Sequence, residues 1–232
     1  MVPGHFSFSA EIKKLKFETE EGVRFPGTAL IHFHVPGKEK PLVELMGYLE
    51  EEEIYKAIDR GEPINLDHCY IEKFSLRDYR LTRNMDAREK VVIKGFTARQ
   101  ALFGGSAALD FSNAVIEGEE FSLGGAWISG GDVDFESAKF HTTLISFHDT
   151  RFSEGYFNFK NVKIKADDVS FKNCVFGKGI KDFQYTSFAS ATLSFANAEF
   201  DDGDVNFINA YFGGDRVSFK IARFGAGKVD FH

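Results

Sequence analysis

Large apolar residues recur in this chain at alternating steps of five and seven positions, from Phe111 to Phe231, without a slip. The series has 21 positions, and 17 of them are Phe. A fixed repeat of this kind indicates a solenoid, in which each repeat buries its apolar face against the next. The Phe members, which we interpret as the structural core ladder, are Phe111, Phe135, Phe159, Phe183, Phe207, Phe231, Phe140, Phe188, Phe212, Phe147, Phe171, Phe195, Phe219, Phe152, Phe176, Phe200 and Phe224.

A second apolar layer lies two residues before each position of the series. Its members alternate between compact and bulky side chains, as Ala138 before Phe140 and Ile145 before Phe147 illustrate. Side chains two residues apart on an extended chain point to the same side. Both layers are therefore predicted to face inward and the intervening residues to face water. Lys181 is the one polar exception in this layer.

A polar ladder sets the true length of the repeat. At every twelfth position Asp or Asn alternates with Ser, so the full pattern returns only at every twenty-fourth position. Two polar ladders require two sides, which predicts coils of 24 residues with four short faces and a rise of about 4.8 Å per coil. Phe135, Phe159 and Phe183 are then expected in one stack. The ladder residues are Asp110, Ser122, Asp134, Ser146, Asn158, Ser170, Asp182, Ser194, Asn206, Ser218 and Asp230.

The five-residue spacing, with a small residue two before each large apolar one and Asp or Asn one before it, resembles the pentapeptide-repeat family. The resemblance covers roughly residues 64–232 and implies a right-handed quadrilateral β-helix, which makes the expected fold an all-β solenoid. The chain departs from the family motif by two extra residues on alternate faces, often with glycine, as at Gly155 and Gly203. We interpret these as enlarged corners, because glycine tolerates positive φ.

Within the solenoid, assigned to residues 64–232, regular 24-residue coils are predicted for 110–232 and an irregular path for 82–109. A plain 20-residue coil is predicted before them, because Leu66, Ile71, Leu76 and Leu81 are spaced by five.

Residues 40–63 are predicted to form an N-terminal helical cap. Within Pro41–Asp59, apolar residues recur at helical spacing, and Gly61 and Pro63 end the pattern. The segment 1–39 alternates in strand fashion, with Phe6 and Phe8 near its start, and is predicted to form a small β element.

Composition narrows the classes of function. The net charge of −7 argues against direct nucleic-acid binding and against binding to anionic membranes. No apolar run approaches the roughly 20 residues of a membrane span. Cys69 and Cys174 are too far apart in sequence to suggest a disulfide framework or a metal site, and they favour a cytoplasmic location.

Several residues that could carry chemistry have simpler interpretations. Asp67, His68 and Cys69 are adjacent on an extended segment, so their side chains alternate and cannot form a relay. His32 and His34 share one side of a strand, but zinc needs a third ligand. His141 and His148 each follow a core Phe and point outward from successive faces. We predict no catalytic residue, no metal and no cofactor.

Outward carboxylates are the remaining candidates for an active site. General acid–base catalysis needs two carboxyl groups at a defined separation within a cleft, and a regular rod is expected to offer none. The carboxylates considered are Asp132, Asp134, Glu136, Asp167, Asp168, Asp201, Asp202 and Asp204.

The sequence therefore favours a non-enzymatic, rigid β-solenoid that acts as a scaffold for an unidentified protein partner. One alternative is a DNA mimic that binds a type II topoisomerase (gyrase), which the pentapeptide-repeat resemblance suggests for acidic chains. A second alternative is a β-helix carbohydrate-active enzyme. The resemblance also suggests a homodimer formed through the C-terminal coil.

Overall fold

The computed structural model describes residues 7–105 and 109–232. They form an all-β solenoid of about eight turns, with two helices and a small β element at the N-terminus. Phe6, part of the predicted strand alternation, lies outside the described residues.

The N-terminal part consists of five strands and one helix. They are β1 (Ser7–Lys13), β2 (Phe17–Glu18), β3 (Arg24–Phe25), β4 (Gly27–His34), β5 (Leu42–Tyr48) and α1 (Glu51–Arg60).

The solenoid follows α1 directly in the chain, and the sheet that contains β5 continues into it. Its elements up to the first regular coil are β6 (Ile64–Asn65), β7 (Cys69–Ile71), β8 (Phe74–Ser75), α2 (Leu76–Thr82), β9 (Val91–Ile93), β10 (Phe96–Thr97), β11 (Leu102–Phe103) and β12 (Leu109–Asp110). The regular coils contain β13 (Ala114–Ser122), β14 (Trp127–Ile128), β15 (Val133–Asp134), β16 (Lys139–Ser146), β17 (Arg151–Phe152), β18 (Phe157–Asn158), β19 (Lys163–Ser170), β20 (Val175–Phe176), β21 (Lys181–Asp182), β22 (Ser187–Ser194), β23 (Glu199–Phe200), β24 (Val205–Asn206), β25 (Tyr211–Phe212), β26 (Arg216–Ser218), β27 (Arg223–Phe224) and β28 (Val229–Asp230).

Each regular coil contributes one strand to each of three sheets, and strands of neighbouring coils pair in parallel. A nine-stranded sheet contains the long strands β13, β16, β19 and β22, while the short strands form a ten-stranded and a seven-stranded sheet. In the last coil, β25 and β26 pair separately with the two ends of β22. The nine-stranded sheet thus spans two of the four faces predicted from the sequence.

The 24-residue register is confirmed. Asp134 pairs with Asn158 in the seven-stranded sheet, and Ser146 pairs with Ser170 in the nine-stranded sheet. The rings of Phe135, Phe159 and Phe183 form one stack, with centroids 5.3 Å and 5.7 Å apart.

The side chains of the core ladder are buried through most of the rod. Phe111, Phe135, Phe159 and Phe183 are fully enclosed. On the last coil, Phe224 is 38% exposed and Phe231 is 54% exposed, because no further coil in this sequence covers them.

The five-residue steps turn sharply, and the polar ladder stabilises the turn. In the step from Phe135 to Phe140, Ser137 has φ 60°, and the Asp134 side chain accepts a hydrogen bond from the Glu136 N–H at 2.8 Å. The same bond from residue i+2 recurs along the ladder, for example from Lys160 to Asn158. Such local bonds satisfy backbone groups that the turn would leave unpaired.

The prediction that every seven-residue step is an enlarged corner is wrong for half of them. The step from Phe140 to Phe147 runs along β16 as a strand. The step from Phe152 to Phe159 is a loop with Gly155 at φ 147°. A Cβ on Gly179 or Gly203 would overlap the carbonyl oxygen of the glycine in the preceding coil, so these stacked loops require glycine.

The first coil differs from the plain 20-residue coil that the sequence suggested. Ile64 pairs with Phe96, so this coil occupies positions 64–95 and is longer than a regular one. The extra length is α2 and the loop that follows it. Leu81, predicted to be a core residue, lies on this helix and is 68% exposed. Ser75 accounts for the change, because its hydroxyl accepts from the Asp78 N–H and caps α2.

The predicted helical cap is correct only in its second half. The helix α1 covers Glu51–Arg60, but Leu42–Tyr48 is the strand β5. This strand pairs along its length with β4, and Gly47 and Tyr48 also pair with β7. Pairing with two neighbours overrides the helical spacing of the apolar residues.

The N-terminal strands form a second core on the outside of the solenoid. In the ten-stranded sheet, Tyr70, Leu102 and Trp127 form a column that points away from the main core. Phe8 and Phe33 cover it, with ring centroids 5.7 Å and 6.1 Å from that of Trp127. The expectation that all intervening residues face water is therefore wrong for this column.

No helix in the described part of the chain has the length and apolar character needed to cross a membrane.

Candidate functional site

The outer surface of the seven-stranded sheet carries a column of carboxylates and amides. The strand pairing places these residues one above another: Ser75, Asp110, Asp134, Asn158, Asp182, Asn206 and Asp230. The column belongs to the turn network described above. Asp110, Asp182 and Asp230 are buried in it, whereas Asp132, Glu136 and Asp204 beside the column are exposed.

A cleft opens where the first coil crosses this column. The segment 73–78, which leads into α2, forms one wall, and the strands of the seven-stranded sheet form the other. Its volume is about 300 Å³. The lining residues are Lys73, Ser75, Arg77, Asp78, Asp110, Asp132, Asp134, Tyr156 and Asn158. The expectation that the rod offers no cleft is therefore wrong, because α2 and its leading segment interrupt the regular coil.

Asp110 holds the two walls of the cleft together. It is 4% exposed, and one carboxylate oxygen accepts from the Ser75 hydroxyl at 3.2 Å and from the Arg77 N–H at 2.7 Å. The other oxygen accepts from the Ser112 N–H. Both oxygens are occupied, so Asp110 is a structural residue.

Asp132 and Asp134 are less completely bonded. Asp132 Oδ1 accepts from the Tyr156 N–H, and Asp134 Oδ1 accepts from the Glu136 N–H, each at 2.8 Å. Within residues 7–105 and 109–232, the Oδ2 atoms of both have no hydrogen-bond donor. Two carboxylate oxygens are thus available in the cleft.

Burial raises the pKa of Asp134 above its usual value, and the carboxylates of Asp110 and Glu136 add to the effect. The Glu136 N–H and the charge of Arg77 oppose it. Tyr156 donates its hydroxyl to Asp182 at 3.0 Å, and burial together with this carboxylate raises the pKa of the phenol. The cleft therefore carries negative charge that is incompletely neutralised.

Two basic residues lie on the wall opposite these carboxylates. Lys73 forms an ion pair with Asp78. Arg77 is exposed, and its guanidinium has no acidic partner among the residues that the structure describes. The site is mixed in charge, with carboxylates on the sheet and a guanidinium on the segment 73–78.

The structure separates the residues of the candidate relay. Asp67 bonds the backbone and the guanidinium of Arg99, and Cys69 is fully buried. Burial raises the pKa of the Cys69 thiol, and the same holds for Cys174, which donates to the Phe147 carbonyl. Both thiols are structural, since the reactive form is the thiolate.

The histidines lie on separate surfaces. His34 is within 3.4 Å of Ser9, and His148 lies 2.8 Å from Asp149. His32 shares β4 with His34, whereas His141 lies on β16. Over residues 7–105 and 109–232, no group of three His, Cys, Asp or Glu side chains is placed to hold a metal ion.

Of the eight carboxylates considered from the sequence, the cleft brings together Asp132 and Asp134. Sequence reasoning missed Lys73, Arg77 and Tyr156, because their approach depends on α2. The pattern of Ser75 followed three residues later by Asp78 could have indicated the start of this helix.

Comparison of the chain with models of protein families, with curated proteins and with solved structures finds no match.

Proposed function

We propose that this protein is a non-enzymatic, rigid β-solenoid that serves as a scaffold for a protein partner, and that it is a Phe-rich relative of the pentapeptide-repeat family. The observation that carries the proposal is the set of exposed carboxylates beside the column on the seven-stranded sheet, namely Asp132, Glu136 and Asp204. A continuous aromatic core beneath this column holds its members at the strand spacing. A surface that is already rigid loses little conformational entropy when a partner binds.

The partner in this proposal is a protein with a basic surface. Charge complementarity supports it, because Asp132 and Asp134 each leave one carboxylate oxygen without a donor among the described residues. Electrostatic attraction of this kind accelerates association and weakens as salt is added.

Charge reversal on two faces tests the scaffold. One variant carries Glu136→Lys and Asp204→Lys beside the acidic column, and the matched variant carries Glu117→Lys and Asp167→Lys on the nine-stranded sheet. We expect a captured partner to bind the second variant like the wild type, and the first variant at least about tenfold more weakly. Equal binding to both variants would contradict an acidic docking face.

A second candidate function is DNA mimicry directed at a type II topoisomerase (gyrase), which the same exposed carboxylates favour. A supercoiling assay distinguishes the two. Inhibition of gyrase that Glu136→Lys with Asp204→Lys abolishes would favour mimicry, and no inhibition at micromolar protein would exclude it as the main function.

The β-helix carbohydrate-active enzyme is a third candidate, favoured by the presence of Asp132, Asp134 and Tyr156 in one cleft. Release of reducing ends or of unsaturated products from a panel of acidic and neutral polysaccharides is the direct test. Activity that Asp134→Asn abolishes would show that the protein is an enzyme and would contradict the scaffold proposal.

The homodimer through the C-terminal coil and the cytoplasmic location stay predictions. The coil 211–232 exposes Tyr211, Ile221 and Phe231, and two-fold pairing with a second copy would cover these side chains. Light scattering over a range of concentrations measures the association directly.

A further inference from the structure

We propose that the cleft between the segment 73–78 and the seven-stranded sheet receives a basic side chain of the protein partner, an arginine or a lysine that has an acidic residue next to it. This inference rests on the proposed scaffold function and names the chemistry of the partner segment.

The carboxylates on the sheet indicate that the side chain received from the partner is basic. Asp132 and Asp134 each use one oxygen on a backbone N–H and leave the other without a donor among the described residues. A guanidinium or an ammonium group supplies several N–H donors and a positive charge, which matches two such oxygens. Neutral donors would leave the charge of the carboxylates unbalanced.

The dimensions of the cleft favour one long side chain. A volume of about 300 Å³ is small for a folded element. An arginine or lysine stem can pass along such a cleft with its charged end at the carboxylates. Central, well-enclosed arginines are frequent among the residues that dominate binding energy in interfaces.

The charge on the opposite wall of the cleft indicates that the residue next to the partner's arginine or lysine is acidic. Arg77 faces the cleft without an acidic partner within the described part of the chain, whereas Lys73 is paired with Asp78. A purely basic segment would approach Arg77 unfavourably. An aspartate or glutamate beside the basic residue meets the guanidinium, so one short segment neutralises both walls.

The chain contains a matched control for the carboxylates. Asp204 accepts from the Lys228 N–H at 2.9 Å, as Asp132 accepts from Tyr156 three coils earlier. Asp202 is exposed beside it and accepts from the Ala226 N–H at 2.8 Å, so Asp202 and Asp204 form a second pair of carboxylates away from the cleft. Asparagine already occupies the ladder positions equivalent to Asp134, at 158 and 206, so Asp134→Asn is compatible with the coil.

The experiment is a titration with the peptide acetyl-Gly-Arg-Asp-Gly-amide, followed by NMR chemical shifts. It compares the wild type with the cleft variant Asp132→Asn/Asp134→Asn and with the control Asp202→Asn/Asp204→Asn. Both variants change the net charge equally, and unfolding curves verify that both are folded. We expect the wild type and the control to bind with the same Kd, and the cleft variant to bind at least about tenfold more weakly, which corresponds to about 1.4 kcal/mol.

Two further peptides test each charge of the segment. Replacing the peptide arginine by glutamine should abolish binding, and replacing its aspartate by asparagine should weaken binding to the wild type but not to Arg77→Gln. Equal weakening in the cleft variant and in the control would show a general charge effect and overturn the inference. So would the lack of any shift in the wild type at about 10 mM peptide.

The outcome separates this inference from the scaffold proposal. A captured partner that binds the cleft variant as tightly as the wild type would overturn the inference and leave the scaffold intact. Cleft-dependent peptide binding without any protein partner would support the cleft and contradict the scaffold.

Discussion

The phenyl rings of Phe147 and Phe171 lie within 5° of parallel with their centroids 4.6 Å apart, although one full coil separates them in the chain. Phe195 continues the stack at 4.7 Å. The spacing between the rings is that between neighbouring strands, so side-chain stacking and backbone pairing have the same period. Each coil is therefore held in register by its backbone and by its core together.

Removal of one ring from this stack should destabilise the protein strongly. Phe171→Ala is expected to lower the free energy of unfolding by about 3–5 kcal/mol, because the rings above and below cannot collapse into the cavity. Phe231→Ala, at a side chain that is 54% exposed, should cost less than half as much. Urea unfolding measures both, and equal losses would argue against a continuous aromatic core.

The glycine loops should tolerate no side chain. Gly179 has φ 122°, and a Cβ there would overlap the Gly155 carbonyl oxygen. Gly37 has φ 83° with open space around it. Gly37→Ala should therefore cost only the backbone strain, about 1–2 kcal/mol, and Gly179→Ala distinctly more. Similar midpoints of unfolding for the two variants would mean that the loops can move apart.

Lys181 occupies an inward position that Val133 and Phe157 hold in the preceding coils. Its ammonium group donates to the backbone carbonyls of Asp201 and Asp202, and burial lowers its pKa from 10.5. Between the lowered pKa and 10.5 the unfolded chain binds more protons than the folded protein. The wild type therefore becomes more stable as pH rises through that range. Lys181→Met removes this titration, so the stability of the wild type relative to the variant should increase as pH rises toward 10.5. Unfolding in urea at several pH values measures the difference, and a constant difference would contradict the assignment.

Asp134 should show the opposite pH dependence. Burial raises its pKa above 3.8, so the folded protein binds more protons between 3.8 and the raised value. Its contribution to stability is then largest at low pH and is lost as pH rises through the folded pKa. Asp134→Asn should be at least as stable as the wild type at pH 7. The free energy of unfolding of the wild type relative to the variant should increase as pH falls toward 4. Asp204→Asn serves as the control, and a parallel response of both variants would contradict this explanation.

Arg80 should fix the helix α2 to the solenoid. It is 1% exposed, and its guanidinium donates to the carbonyls of Glu89 and Ser112. Arg80→Met leaves both carbonyls without this donor and should cost about 1–3 kcal/mol. Faster amide exchange across residues 76–90 would locate the loss, whereas Arg77→Met, at an exposed position, should leave exchange unchanged.

The regular part of the fold was predictable because it depends on a short repeat. The alternation of Asp or Asn with Ser indicated the 24-residue register, and the stack of Phe135, Phe159 and Phe183 follows from it. The shape of the seven-residue steps was not predictable, since glycine occurs in both kinds. Whether such a step becomes a strand or a loop depends on how whole coils pair.

The N-terminal region and the cleft were predicted less well for the same reason. The apolar residues of Leu42–Tyr48 fit a helix or a strand, and pairing with β4 and β7 decides between them. The cleft depends on α2, whose leucines also fit the five-residue spacing. Local patterns were ambiguous at both places, and long-range contacts resolved them.

The 24-residue register also makes the length of this rod adjustable in whole units. A tandem duplication of one complete coil would lengthen the rod by about 4.8 Å. Every loop would still stack on the equivalent loop of the neighbouring coil. A duplication of half a coil would set the long strands of one level over the glycine loops of the next. Related chains should therefore differ in length by multiples of 24 residues. The length of the rod would then change only in steps of one coil.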